Sequence, residues 1–330
     1  MSNLSYMQKA TDRGQLQIHV TTERGFFPIK DASIRLSYTG NPTEIIEELS
    51  TDISGQTAAV ELPAPPLEYS MEPSEFQPYS EYTIQVNASG YRPINISGIS
   101  VLPDKTSIQN VRMETATVEN PLERNIVITA NTLYGNFPPK IPEDEIKPMT
   151  ESGEIVLSRV VIPEYVIVHD GPPSDSSAND YYVRYRDYIK NVASSEIYAT
   201  WPDAALRANI LAIMSFTLNR VYTEWYRNKG YDFTITSSTA FDHKFVYGRN
   251  IFSNISNIVD EMFNSYLRQP ILTQYCDGQR VSCPNWMPFL VLRMGKILIK
   301  IITITHLISD CDYFYFLSLL FSDLYCPIQD

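Results

Sequence analysis

The chain has 330 residues, of which 22 are Tyr and 22 Pro, and a formal net charge of −12. That length exceeds the usual size of one core and implies two domains with connecting material. The negative charge argues against a nucleic-acid partner, which would require a basic face. Four Cys are too few for a disulfide scaffold and leave the redox compartment open. Residues 1–14 read as a polar leader or pro-segment, without the apolar run that a secretory signal needs.

From residue 15 to 116 the pattern is strands and turns. Leu16, Ile18 and Val20 alternate with polar residues, as do Ala32, Ile34 and Leu36, and period two means half-buried strands. Tyr82 to Val86 and Ile94 to Val101 supply further strands. Turn sequences separate them at Thr39-Gly40-Asn41-Pro42, Asp52 to Gly55 and Ser89-Gly90. Short strands at this spacing predict a β-sandwich. The strings Pro28 to Ile34, Thr51 to Gly55 and Tyr82 to Tyr91 resemble the transthyretin-like module also found in carboxypeptidase regulatory domains. The resemblance implies a spacer, binder or inhibitory prodomain, since no catalytic constellation falls in it.

Residues 117–154 carry prolines at 121, 138, 139, 142 and 148 and the acidic run Glu143-Asp144-Glu145, which read as an extended connector. Residues 155–288 then form a second domain. Ile155 to Val168 predicts one or two strands, closed by the turn His169 to Pro173. After Ala178 the period becomes helical. Leu206, Ile210, Ile213, Met214, Thr217, Val221 and Trp225 predict a helix of about twenty residues with one buried stripe. Thr200 is placed to cap it, Pro202 suits its first turn, and Asp203 complements its dipole. Glu224, four residues after Arg220, reads as a solvated partner of that arginine. A second helical stripe runs through Ile251, Ile255, Ile258, Val259, Met262, Phe263 and Tyr266. Cys276-Asp277-Gly278 and Val281 to Cys283 read as a hairpin around an Asp-Gly turn. The overall expectation is an α+β chain, a β-sandwich followed by a mixed helix and strand domain.

Tyr185, Tyr188, Ile189 and Val192 lie on one helical face, and Glu196 continues it. A carboxyl on an apolar face is disfavoured in its charged form, which suits a general acid acting on a glycosidic oxygen. The alternative is a structural Glu, paired with a nearby Arg or capping the next helix at Thr200. The wording from Asp187 through Ser194-Ser195-Glu196-Ile197-Tyr198 to Asn209 resembles the core of the stage II sporulation protein D (SpoIID) domain. It is more similar still to the version in clostridial spore cortex-lytic enzymes. The similarity continues through Asn219 to Tyr226, Ser238 to Asp242, Phe245 to Phe252 and Cys276 to Gly278, over about residues 155 to 287.

The resemblance implies a spore cortex-lytic enzyme, a lytic transglycosylase cleaving the MurNAc–GlcNAc bond of cortex peptidoglycan during germination, with Glu196 as its catalytic residue. It implies localisation in the spore cortex and a precursor form, with a subtilisin-like germination protease as the candidate activator. Tyr198, Trp201, Tyr222 and Tyr247 are candidates to line a glycan groove, the alternative being core packing. Asp242 stays open as a second carboxylate. Relatives carry Gln after Phe-Asp where this chain has His243. Cys276 and Cys283 can form a disulfide, contribute two metal ligands or remain thiols. Two ligands do not make a zinc site, so neither metal nor cofactor is assigned.

The family pattern breaks after Met287, where a Ser-Gln-Trp-Gly stretch is expected and is absent. Residues 289–330 turn rich in Ile, Leu and Phe. Lys300, His306, Asp310 and Asp312 interrupt them before a membrane span is complete. Out-of-frame translation from near codon 287 is the expectation for that tail. A non-catalytic peptidoglycan-binding or structural spore protein is the competing expectation for function.

Overall fold

The computed structural model of the protein describes residues 12–23, 27–71, 76–119, 122–130, 157 and 160–263, with the backbone of 275–276 and 287–288. The elements of the first half are β1 (Asp12–Thr22), β2 (Ser33–Tyr38), β3 (Asn41–Ser50), β4 (Val60–Ala64), the one-turn helix α1 (Glu68–Met71), β5 (Ser80–Asn87), β6 (Ile94–Val101), β7 (Thr106–Met113) and β8 (Arg124–Val127). Those of the second half are β9 (Tyr165–His169), β10 (Asp180–Arg184), α2 (Tyr185–Glu196), α3 (Asp203–Tyr222), β11 (Ile235–Thr236), β12 (Ile251–Phe252), α4 (Ser253–Met262), β13 (Tyr275–Cys276) and β14 (Met287–Pro288). The predicted segment 1–14 up to residue 11, the connector over 131–154, Tyr266 and the tail 289–330 lie outside the described residues.

Two compact units divide the chain. The first joins residues 1–136 with 190–200 and 244–257. Its two sheets have the orders β12-β7-β1-β4 and β3-β2-β5-β6-β8. The predicted alternation is realised in β1, where Leu16, Ile18 and Val20 are fully buried between half-exposed neighbours. They join Ile34, Leu36, Ile84, Val86, Ile96 and Ile99 of the other sheet in one apolar core. Each such side chain contributes about 1.5–3 kcal/mol on burial, so the two faces form a sandwich. Strand β3 is an edge strand and carries exposed Glu44, Glu47 and Glu48, charges that discourage further strand pairing. The predicted turn at Asp52 closes on its own carboxylate: Asp52 Oδ1 accepts from Ser54 N, Ser54 Oγ and Gln56 N at 2.9, 2.7 and 3.0 Å.

Strand β12 is a departure from the expected helix beginning at Ile251. Ile251 and Phe252 pair antiparallel with Ile108 and Ser107 of β7, and the helix starts only at Ser253. The preceding residue explains the difference. Asn250 Oδ1 accepts from Ser100 N at 3.1 Å and its Nδ2 donates to Ser100 O at 3.0 Å, so a buried amide holds the chain extended against the sandwich.

The second unit comprises 137–189, 201–243 and 258–330. Its sheet has the order β10-β9-β11, with β10 antiparallel and β11 parallel to β9. Among the described residues of the predicted 155–168 strand region, only Tyr165 onward is strand. Pro163, which has no N–H to give a ladder, stands just before it. Helix α3 has the expected length of 20 residues but not the expected single stripe, because residues 205, 206, 208, 210 and 212–220 are all buried. A helix buried on nearly every side, polar Ser215, Thr217, Asn219 and Arg220 included, belongs in an interior. Pro202, not Thr200, occupies its N-cap position without a side-chain cap. The Thr200 hydroxyl has no hydrogen-bond partner. Tyr275–Cys276 pairs in parallel with Met287–Pro288, while the rest of the predicted Cys276–Cys283 hairpin lies outside the described residues.

Candidate functional site

Helix α2 places Glu196 as the sequence spacing predicts. Tyr185, Tyr188, Ile189 and Val192 are buried along one face, and Glu196 is the last helical residue, only partly covered. Its Oε1 accepts the backbone N–H of Lys244 at 2.7 Å. A main-chain donor is a rigid partner, and a hydrogen bond to a carboxylate is stronger than one between neutral groups.

Lys244 also brings a cation to the site. Its Nζ donates to Ala130 O at 2.8 Å. Burial and the neighbouring Arg249 charge push its ammonium down to about 8, while the Glu196 carboxylate pulls it up. Arg249 is itself buried. Burial pushes its guanidinium down to about 10, against the pull of Tyr79 and Glu81. It donates to Thr129 O at 2.6 Å. At neutral pH both groups are protonated, so the Lys244 ammonium sets a positive charge near the Glu196 carboxylate.

The loop carrying Lys244 is pinned from α2. Asn191 Nδ2 donates to Val246 O at 2.9 Å, and Val246 N donates to Asn191 Oδ1 at 3.0 Å. Neither Asn191 nor Lys244 is marked by any motif of catalytic type. Asn191 sits inside the Asp187 to Asn209 string that carries the resemblance, whereas Lys244 falls in the gap between the Ser238 to Asp242 and Phe245 to Phe252 strings, so no local signal drew attention to it.

The other predicted groove residues separate. Tyr198 and Tyr247 belong with Glu196 to the first unit, Trp201 and Tyr222 to the second. Tyr198 and Trp201 are buried, whereas Tyr222 and Tyr247 are partly exposed. Tyr247 OH accepts from Arg124 Nη2 at 2.6 Å, and that arginine is paired with Glu114.

Asp242 is engaged on both oxygens. Oδ1 accepts from Arg220 Nε at 2.7 Å, and Oδ2 accepts from Tyr226 OH at 2.6 Å, Thr236 N at 2.8 Å and Thr236 Oγ1 at 2.7 Å. Burial pushes the carboxyl up, but Arg220, Tyr226 and Thr236 together outweigh it and hold Asp242 below the usual carboxylate range. A carboxyl held toward its ionised form and bonded on both oxygens is built for structure. Arg220 is accordingly not the surface partner of Glu224. Glu224 lies beyond the helix end at φ 46° and sits 3.5 Å from Arg227.

His243 is buried, with Nδ1 3.3 Å from Tyr188 OH and its ring against Phe216. His169 Nδ1 pairs with Asp180 Oδ1 at 2.8 Å and the ring stacks on Phe233. Among the described residues no group of three His, Cys, Asp or Glu side chains is arranged to hold a metal ion. None of the described helices is long and apolar enough to cross a membrane.

These features define a mixed α/β chain, mostly sheet with few helices, with the half-buried Glu196 at the end of α2. No protein-family model and no curated protein matches it. Among solved structures it is similar to the Bacillus anthracis TIE protein, at 17% identity over 32% of this chain and 17% of that one, with a TM-score of 0.22. It is similar to GBS52, the minor pilin of Streptococcus agalactiae, at 15% identity over 32% of this chain and 46% of the other, with a TM-score of 0.23. For Klebsiella pneumoniae 5-hydroxyisourate hydrolase the values are 17%, 31%, 86% and 0.20. The chain thus spans less than half the length of the first two.

Proposed function

We propose that the chain is a peptidoglycan lytic transglycosylase of the spore cortex, with a SpoIID-like catalytic region and Glu196 as its acid and base. The observation that carries this reading is the contrast between two carboxyls. Glu196 is only half-buried and its Oε1 takes a main-chain amide, while fully buried Asp242 accepts four hydrogen bonds over its two oxygens and is unavailable for proton transfer. One carboxyl suffices for this chemistry. Protonated Glu196 gives its proton to the glycosidic oxygen as the C1–O bond of the muramyl residue breaks. The muramyl C6 hydroxyl oxygen then bonds to C1 and its proton passes to the Glu196 carboxylate, closing a 1,6-anhydro ring without water. Hydrolysis would ordinarily require a second working carboxyl.

The resemblance supports placing this activity in germination, with the N-terminal sandwich as a transthyretin-like spacer, binder or inhibitory prodomain and a subtilisin-like protease as activator. The test is digestion of purified cortex with product ends identified by mass spectrometry. Anhydromuramyl ends are expected, and Glu196→Gln should lower turnover by roughly a hundredfold to ten-thousandfold while still binding cortex. Glu47→Gln, on the exposed edge of β3, should leave turnover unchanged. Reducing ends would identify a hydrolase instead. Full turnover in Glu196→Gln would remove Glu196 as the catalytic residue, and binding without release in the wild type would favour a structural protein.

A further inference from the structure

We infer that Asn191 is a positioning residue for Glu196, acting through the 244–246 segment, whose first amide grips the carboxylate. This deepens the proposed function and rests on Glu196 being its working group. Asn191 lies five residues before Glu196 on the same helix and is buried. Its amide bonds both the N–H and the C=O of Val246, as a neighbouring strand residue would. Two residues earlier, Lys244 N reaches back to Glu196 Oε1. The helix therefore carries both the carboxyl and the side chain that fixes the carboxyl's donor. A loop so held cannot drift from Glu196 without breaking two buried hydrogen bonds, and each orphaned buried group is costly.

The positioning role separates from general packing. A packing residue would lower stability and leave the Lys244 amide in place. A positioning residue changes what Glu196 experiences. The groups that face Glu196 include the Lys244 amide, which bonds its Oε1, and the Lys244 ammonium, which also feels the Arg249 charge. Of these two, the amide is in direct hydrogen-bond contact, at 2.7 Å. The ammonium is anchored separately by Ala130 O.

The experiment follows the Lys244 amide proton by NMR across a pH titration of the full chain, in wild type, Asn191→Ala, Asn191→Asp and Glu196→Gln. In the wild type that resonance should move with the ionisation of Glu196, and in Glu196→Gln the movement should vanish. Asn191→Ala should lose it as well. Asn191→Asp keeps the acceptor for Val246 N but loses the donor to Val246 O, and should retain part of it. With cortex as substrate, Asn191→Ala should lower kcat by roughly ten- to a hundredfold, as a misplaced catalytic group does, with KM unchanged. A folded Asn191→Ala whose Lys244 amide still tracks Glu196 as in the wild type overturns the inference. So does a wild-type amide that never tracks it. Wild-type protein that shows the tracking but releases no cortex fragments would leave the positioning intact and defeat the catalytic reading alone.

Discussion

The Arg220–Asp242 pair is the clearest case of a residue whose role depends on its environment. An isolated Arg four residues before a Glu on a helix predicts a surface pair worth a few tenths of a kcal/mol. Here α3 is buried on nearly all sides, and both Arg220 and Asp242 are fully covered. Phe216, Trp225 and Tyr226 hold their rings 4.9, 5.2 and 5.6 Å from the guanidinium carbon, so the cation is enclosed by aromatic faces as well as paired. Removing one charge strands the other, so Asp242→Asn should destabilise the protein by about 3–5 kcal/mol, measured by urea unfolding. A loss below about 1 kcal/mol would mean that the pair is loosely held. The pH dependence follows from the sign of the shift. A carboxyl depressed in the folded state contributes stability that is present above its unfolded value near 3.9. That contribution is lost as pH falls through the lower folded value. The wild type should therefore lose stability steeply below about pH 3.9, and Asp242→Asn should lack that part of the acid slope. Sequence spacing could not reveal this pairing, because Asp242 follows α3 by a turn-rich segment whose path depends on the tertiary fold.

Among elements, α2 was legible because its apolar positions at 185, 188, 189 and 192 recur at helical steps and all of them are buried. β12 was not. Two strand residues are too few to show a period of two, and Ile251 falls in helical step with Ile255 and Ile258 of α4. What decides its state is Ser100, 150 residues away. Asn191 and Asn250 act alike in this respect, since each pairs both backbone groups of one distant residue. Their partners are invisible to any local pattern. Strand β6 shows the same limit in a glycine. Tyr82 faces Ile99 and Ile84 faces Ile96, so Ser97 and Gly98 together oppose the one residue Thr83, which makes a β-bulge. Gly98 takes φ +84°, and a Cβ there would stand 2.4 Å from Ile128 O. That atom is backbone and cannot step aside. Gly98→Ala should therefore cost about 1–3 kcal/mol, seen as a lower urea midpoint at unchanged slope. Unchanged stability would show that the bulge relaxes without strain.

At the scale of the whole molecule, the order of the sequence and the order of the packing differ. Composition marks residues 117–154 as the connector between an N-terminal sandwich and a later domain. The first compact unit nevertheless takes in 190–200 and 244–257, beyond that connector. The attachments lie within this unit: β12 on β7, Asn250 on Ser100, Gln109 Nε2 on Gly248 O at 3.0 Å, and Arg249 on Thr129 O. Several are buried, and Ile251 and Phe252 add apolar surface to the same join. A cut anywhere in Pro138 to Gly153 therefore severs the chain without separating the sandwich from residues that complete its unit. Limited proteolysis in that Pro-rich stretch should give two bands on a denaturing gel but one peak in size-exclusion chromatography under native conditions. Adding Asn250→Leu, which removes both bonds to Ser100, should weaken the association and let the nicked fragments begin to part. Independent elution of the two fragments from the unmodified chain would show that 244–257 is not held by the sandwich.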